Sequence, residues 1–201
     1  MSWIKVIGYE EAKGSLKRMY DRVKGPNNNI DNVLSIHSLR PHTLKGHMTL
    51  YKSVLHNTNN TLPKWYLEAI GVYVSYLNKC DYCVQHHLGG FTRLLDDDAR
   101  AAAFFESVQN DTVHAFFDDH YKEGIIHAQK LTQAHHTITK EDIDHLKNVG
   151  FSEGEILEIN QVTSYFNYVN RMVVGLGVNT DGDIIGLSPG NSDEPDNWSH
   201  H

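Results

Sequence analysis

The stretch "PKWYLEAIGVYVSYLNKCDYCVQHH", residues 63–87, joins an almost wholly apolar segment to both cysteines of the chain. From Trp65 to Leu77 only Glu68 and Ser75 depart from the apolar and aromatic pattern. A helix that is apolar on every side is normally buried in a protein core, and proline is well suited to the first turn of a helix. The sequence therefore predicts a buried helix that runs from Pro63 to about Asn78.

Helical patterns also dominate the rest of the chain. The last long segment opens with a capping-box pattern at residues 152–155 and carries apolar residues at alternating spacings of three and four as far as Leu176, which is typical of a packed helix. No run of alternating apolar and polar residues is long enough to predict a strand. We therefore expect an all-α fold. After Gly177 the helical period is lost, so we expect one domain over residues 1–180 and a loose acidic tail over residues 181–201.

The composition excludes several classes of protein. With 201 residues, of which 40% are hydrophobic and 21% charged, the chain is long enough for one well-buried domain. The formal net charge of -7 argues against a nucleic-acid partner, because phosphates attract surfaces rich in Lys and Arg. The longest nearly apolar run, "AIGVYVSYL", is about half of a membrane-spanning helix, and the sequence does not open with a signal-peptide pattern. We expect a cytoplasmic protein with no membrane partner.

The two cysteines, Cys80 and Cys83, are three residues apart, and His87 follows four residues after the second. Because cytoplasmic thiols stay reduced, this spacing indicates redox chemistry or metal binding rather than a structural disulfide. We expect a short helix that begins at the cysteines and ends at Gly89-Gly90. On a helix the two thiols could approach closely enough to form a disulfide, and His87 would share a face with Cys83 and could hold its proton. Helical spacing alone leaves open which cysteine is the nucleophile, because a thiol at the helix end is also activated.

Glu68 is the one carboxylate in the apolar helix. A buried carboxylate is costly unless it is protonated or paired with a donor. His87 is a natural partner if the two helices pack antiparallel, although a surface position or a Lys or Arg partner is an equally open alternative. Most of the 14 histidines are scattered singly along the chain, and His86, next to His87 but on a different helix face, is given no role.

The order Glu68, eleven residues, Cys80-x-x-Cys83, three residues, His87 resembles the alkylhydroperoxidase D-like (AhpD-like) members of the carboxymuconolactone decarboxylase superfamily. The resemblance extends to "NVLSIHSLRPHTLKGHMTLYKSVL" at 32–55 and to residues 131–178, which are similar to the peroxidase-related subgroup. Roughly residues 1–180 are covered. Tyr82 stands where some relatives carry a second histidine, so a proton-transfer step through that position is not expected.

This resemblance implies an all-helical homo-oligomer with the cysteine pair at a helix N-terminus. It implies a thiol-dependent peroxidase that uses neither a metal nor another cofactor. Cys83 would attack the hydroperoxide and become a sulfenic acid, and Cys80 would resolve it as a disulfide. Glu68 and His87 would form the proton relay that activates Cys83 and protonates the leaving alcohol. The implied partners are a hydroperoxide substrate and an unidentified thiol or dithiol reductant.

Three alternatives remain open at the level of sequence. Cys80, Cys83 and His87 could be zinc ligands, with Glu68 or a distant histidine as the fourth, although structural zinc usually joins more widely separated segments. The pair could instead exchange disulfides with a protein partner, as a redox sensor or oxidoreductase without peroxidase activity. A helical oligomer whose thiols are incidental is the third alternative.

Overall fold

The computed structural model describes residues 2–117, 120–190 and 198–200. Within these ranges the regular structure consists of ten α-helices and two short 3-10 turns, with no β-strand, so the all-α prediction is confirmed. The α-helices are α1 Gly14–Val23, α2 Asn32–Ser35, α3 Pro41–Leu55, α4 Lys64–Leu77, α5 Asp81–Leu95, α6 Asp98–Gln109, α7 Val113–Phe116, α8 Tyr121–Gln133, α9 Lys140–Asn148 and α10 Glu153–Gly175. None of the helices in the described ranges is both long and apolar enough to cross a bilayer.

Helix α4 lies at the centre of the molecule, as its apolar sequence predicts. It packs against α5, α8 and α10, and every side chain from Tyr66 to Ser75 is buried. Glu68 is among these buried residues, with only 2% of its surface exposed. The surface position considered for this carboxylate is therefore wrong.

Local capping interactions define the starts of the later helices. Asp97 accepts a hydrogen bond from the Arg100 N–H at the start of α6. Thr139 and Ser152 form capping boxes that begin α9 and α10, in agreement with the pattern at residues 152–155. Such caps satisfy the backbone N–H groups that have no partner inside the helix.

Helix α5 is longer than its sequence predicts. It does not end at Gly89-Gly90 but continues to Leu95. Phe91, directly after the glycines, is fully buried and packs against Phe104 of α6 with ring centroids 4.6 Å apart. Each glycine makes the helix about 1 kcal/mol less stable than alanine would. The free energy gained by burying the Phe91 ring is larger than this cost.

Residues 181–190 and 198–200 of the expected loose tail pack against the helices, and the remaining tail residues lie outside the described ranges. Arg93 of α5 donates hydrogen bonds to the Gly186 carbonyl at 2.5 Å and to the Ser188 hydroxyl at 2.9 Å. Trp198 is buried, with the Arg22 guanidinium 3.9 Å from the centre of its ring. These are single polar and aromatic contacts between residues that are far apart in the sequence, so no periodic sequence pattern predicts them.

Replacing Gly71 with alanine should destabilise the protein by about 1–3 kcal/mol, as overpacking of a core does. A Cβ atom at Gly71 would lie 2.3 Å from Cζ of Phe166, whose ring is fully buried. Urea unfolding measures the change. The matched control is Gly46→Ala on the exposed face of α3, where a Cβ meets nothing within 4 Å and helix propensity predicts a gain of up to about 1 kcal/mol. An equal gain at both positions would contradict the close packing of α4 on α10.

Candidate active site

A tight turn between α4 and α5 places both cysteines. Lys79 adopts a left-handed conformation with φ of 56°, and the Cys80 N–H donates to the Ser75 carbonyl at 2.9 Å. Cys80 therefore directly precedes α5, and Cys83 is the third residue of that helix. The turn brings α5 back along α4, so the side chain of Glu68 can reach α5.

The two cysteines are free and buried, with their sulfur atoms 2.9 Å apart. A disulfide bond is about 2.05 Å long, so a small movement would close it. The hydrogen bond between the two thiols lowers the pKa of Cys80. Burial, followed by that same hydrogen bond, raises the pKa of Cys83 well above its usual value.

Asn170 of α10 was not identified from the sequence as a site residue. Its side-chain amide donates to the Ser75 hydroxyl at 3.0 Å and accepts from the Asn78 amide at 3.0 Å. Held in this way, its side chain contributes to the lowered pKa of Cys80 and offsets part of the rise in the pKa of Cys83. Asn170 adjoins the apolar seam of α10 without being part of it, and its burial, with 1% of its surface exposed, is not visible in the sequence pattern.

The contact expected between Glu68 and His87 is present. Nδ1 of His87 lies 2.6 Å from Oε2 of Glu68, and both groups are largely buried. The carboxylate can only accept, so Nδ1 carries the proton in the neutral ring and Nε2 is left as a base. The rings of Tyr51 and Phe166 meet the imidazole edge-on, with centroids 6.2 and 4.6 Å from its own, and fix its orientation.

Cys83, Glu68 and His87 line one cavity of about 40 Å³. Cys83 and His87 form no direct hydrogen bond, so the contact suggested by helical spacing is absent. The two residues instead line the same cavity. A space of this size holds about two or three water molecules. Leu187 and Ser188 of the tail complete part of its wall.

Cys80 faces a different space. It lines an open groove of about 370 Å³ together with Lys79, Asp81, Gln85 and the segment 178–180. The two cysteines therefore line two different spaces, and both are almost fully buried.

A second group of polar residues lines the cavity and was not predicted. Tyr82 donates to Oδ2 of Asp183 at 2.6 Å and accepts from the Val33 N–H at 3.1 Å. Nε2 of His86 lies 3.3 Å from the same carboxylate oxygen. His86 therefore belongs to the cavity wall, although its sequence position suggested no role. Asp31 is the fourth member of this group.

The zinc alternative has no set of ligands in the described ranges: no three His, Cys, Asp or Glu side chains there are grouped so that they could hold a metal ion. Cys80, Cys83 and His87 lie near one another, but Cys80 faces the groove while His87 faces the cavity.

Comparison with solved structures defines the fold as AhpD-like. A peroxidase-related protein from Ralstonia eutropha JMP134, described as an alkylhydroperoxidase AhpD core, superposes with a TM-score of 0.75 at 21% identity, over 89% of this chain and 92% of its own. A peroxidase-related protein from Silicibacter sp. TM1040 gives a TM-score of 0.66 at 24% identity, over 78% of this chain and 80% of its own. No family model matches the chain, and no curated protein sequence matches it.

The same fold occurs in a protein with another activity. The debrominase Bmp8 superposes with a TM-score of 0.62 at 19% identity, over 82% of this chain and 83% of its own. A cysteine-to-alanine variant of Bmp8 has been crystallised with 2,3,4-tribromopyrrole. At these identities the likeness establishes the fold, and the chemistry must be argued from the site.

Proposed function

We propose that the protein is a thiol-dependent peroxidase that reduces small hydroperoxides. The observation that carries this proposal is a cavity lined by Cys83 together with the Glu68–His87 pair, while a second sulfur lies 2.9 Å from that of Cys83. Oxidation of a thiol by a peroxide requires a thiolate, a proton acceptor and, afterwards, a second thiol that traps the sulfenic acid. The site supplies a thiol, a nearby imidazole that could accept its proton, and a second thiol, and these groups support the proposal.

The proposed reaction begins with the proton of Cys83. Nε2 of His87 accepts this proton through a water molecule in the cavity, and the Glu68 carboxylate stabilises the imidazolium that results. The Cys83 thiolate attacks one peroxide oxygen, so that the S–O bond forms, the O–O bond breaks and two electrons pass from sulfur to the peroxide. The sulfenic acid of Cys83 is then attacked by Cys80, which gives a disulfide and releases water.

The site also suggests where the reductant acts. Cys80 lines the open groove and not the cavity, although only 1% of its surface is exposed. In our proposal an external thiol attacks the Cys80 sulfur of the disulfide from this groove and releases Cys83 as a thiolate, and a second thiol completes the reduction. The peroxide and the reductant would use separate routes.

The volume of the cavity limits the substrate. A space of about 40 Å³ fits hydrogen peroxide without rearrangement but not a large organic hydroperoxide. For the same reason we do not propose a brominated pyrrole as a substrate.

Stopped-flow oxidation of the reduced protein tests the proposal. Hydrogen peroxide should oxidise the thiols at least about a hundredfold faster than it oxidises a free thiol at the same pH, because positioned acid–base groups typically contribute that much. Cumene hydroperoxide should react more slowly than hydrogen peroxide because its ring cannot enter the cavity. Rates no faster than that of a free thiol for both oxidants would contradict the proposal.

A thiol–disulfide oxidoreductase is the second candidate, and one observation favours it. Cys80 has the lowered pKa of the pair and lines the open groove, as a thiol that attacks a protein disulfide would. Rapid reduction of a disulfide substrate together with slow reaction with peroxide would select this function.

A further inference from the structure

The cavity contains a buried carboxyl group that the proposed proton relay does not use. Asp31 is 6% exposed and lines the cavity together with Cys83 and His87. It comes from the segment before α2, whereas Cys83 and His87 belong to α5. Its Oδ1 atom is buried, and no residue in the described ranges forms a hydrogen bond with it. A buried, unpaired carboxyl oxygen is costly, so its presence needs an explanation.

The position of Asp31 in the chain makes this orientation unusual. It is the residue that precedes α2, where an aspartate normally accepts a hydrogen bond from its own helix, yet its side chain forms no such bond. Asp183 of the tail takes this place: both of its carboxylate oxygens lie 3.1 Å from the Asn32 N–H. The carboxyl group of Asp31 is thereby left to face the cavity.

The surroundings of Asp31 favour its protonated form. The pKa of Asp31 is raised to about 7, chiefly by burial; His86 lowers it, and the nearby Asp183 carboxylate makes a smaller contribution that raises it. At neutral pH a substantial fraction of the molecules therefore carries a carboxylic acid at this position. A neutral acid can donate a proton, which an ordinary ionised aspartate cannot do.

We propose that Asp31 is the general acid that protonates the leaving oxygen of the hydroperoxide. This inference rests on the proposed peroxidase function and adds a catalytic residue to it. When the Cys83 thiolate attacks one oxygen and the O–O bond breaks, the other oxygen leaves with the bonding electron pair. The Asp31 proton passes to that oxygen, which gives water or an alcohol and leaves Asp31 as a carboxylate. Asp31 takes up a proton again before the next turnover.

The geometry of the substitution separates this role from that of His87. The attacking sulfur, the attacked oxygen and the leaving oxygen lie roughly in line, so the leaving oxygen points away from Cys83. His87 receives the proton that Cys83 loses. Asp31, which belongs to a different segment of the cavity wall, supplies the proton to the leaving oxygen. Both Asp31 and His87 line the same cavity, which holds only two or three water molecules.

Two oxidants with different leaving groups test the proposal. Hydrogen peroxide expels hydroxide, a strongly basic leaving group, so protonation accelerates its departure. Peracetic acid expels acetate, a carboxylate whose conjugate acid has a pKa near 4, like a glutamic acid side chain, so it needs no donor. Asp31→Asn should lower the rate of thiol oxidation by hydrogen peroxide about a hundredfold and change the rate with peracetic acid less than about threefold.

Three further variants complete the experiment. Asp31→Ala should show the same selective loss, so either neutral variant gives the answer if the other does not fold. Asp31→Glu should restore part of the hydrogen peroxide rate. Asp144→Asn, an exposed carboxylate on α9, is the matched control and should leave both rates unchanged.

The outcomes separate this inference from the function on which it rests. An equal loss with both oxidants, or no loss with hydrogen peroxide, in a wild-type background that reacts rapidly would overturn the role of Asp31 alone. Wild-type thiols that react with both oxidants no faster than a free thiol would overturn the peroxidase function and this role with it.

Discussion

Replacing Cys83 with serine should abolish the consumption of hydroperoxide. The serine hydroxyl has nearly the shape of the thiol but cannot accept an oxygen atom, and the remaining sulfur, Cys80, lines the groove and not the cavity. We expect the rate with hydrogen peroxide to fall to that of a free thiol or below it. Peroxide consumption under excess dithiol reductant measures the effect.

The matched variant is Cys80→Ser, which removes the second sulfur and keeps the first. It should consume one equivalent of peroxide and then stop, because no neighbouring thiol is left to resolve the sulfenic acid on Cys83. If the two variants lost activity in the same way, or if Cys83→Ser continued to turn over, the roles of the two cysteines would have to be exchanged. The lowered pKa of Cys80 makes this a real alternative.

Replacing Glu68 with glutamine should slow the oxidation of Cys83 by about a hundredfold to a thousandfold. The amide has almost the same shape, but it carries no charge to stabilise the imidazolium and can present an N–H group to Nδ1 of His87. The ring would then lose the tautomer in which Nε2 is the base. Stopped-flow oxidation by hydrogen peroxide measures the loss, and circular dichroism shows whether the helices are intact.

The control for this variant is Glu153→Gln, an exposed carboxylate that pairs with Lys147 at 2.5 Å on the protein surface. It should leave the oxidation rate unchanged. His87→Ala should resemble Glu68→Gln, and the double variant should lose little more than either single one, because the two residues act as a unit. Fully additive losses would show that Glu68 and His87 act separately.

The sequence contained the information for those parts of the fold that depend on local interactions. Capping residues at Asp97, Thr139 and Ser152 lie beside the N–H groups that they satisfy, so their helices could be predicted from short patterns. The burial of α4 followed from its apolar composition. The pairing of Glu68 with His87 was one of several open alternatives, since it depends on the turn between two helices.

Other parts of the site depend on contacts between distant segments and left no pattern. Tyr82 and Asp183 are separated by 101 residues, and their hydrogen bond depends on how the tail lies over the helices. Asp183 also accepts from the Asn32 N–H, which explains why Asp31 does not cap its own helix. The continuation of α5 past its two glycines likewise depends on the packing of Phe91 against α6. Helix propensity, which is a local property, does not predict this packing.

The most direct test of the account is to identify the sulfur atom that receives the oxygen. Reduced Cys80→Ser and Cys83→Ser proteins are each exposed to one equivalent of hydrogen peroxide and then unfolded in urea that contains dimedone, so that the reagent reaches buried sulfenic acids. The labelled peptide is identified by mass spectrometry. We predict rapid labelling of Cys83 in the first variant and no labelling of Cys80 above the level of a free thiol in the second. Rapid labelling of Cys80, or no labelling of either residue, would contradict the account.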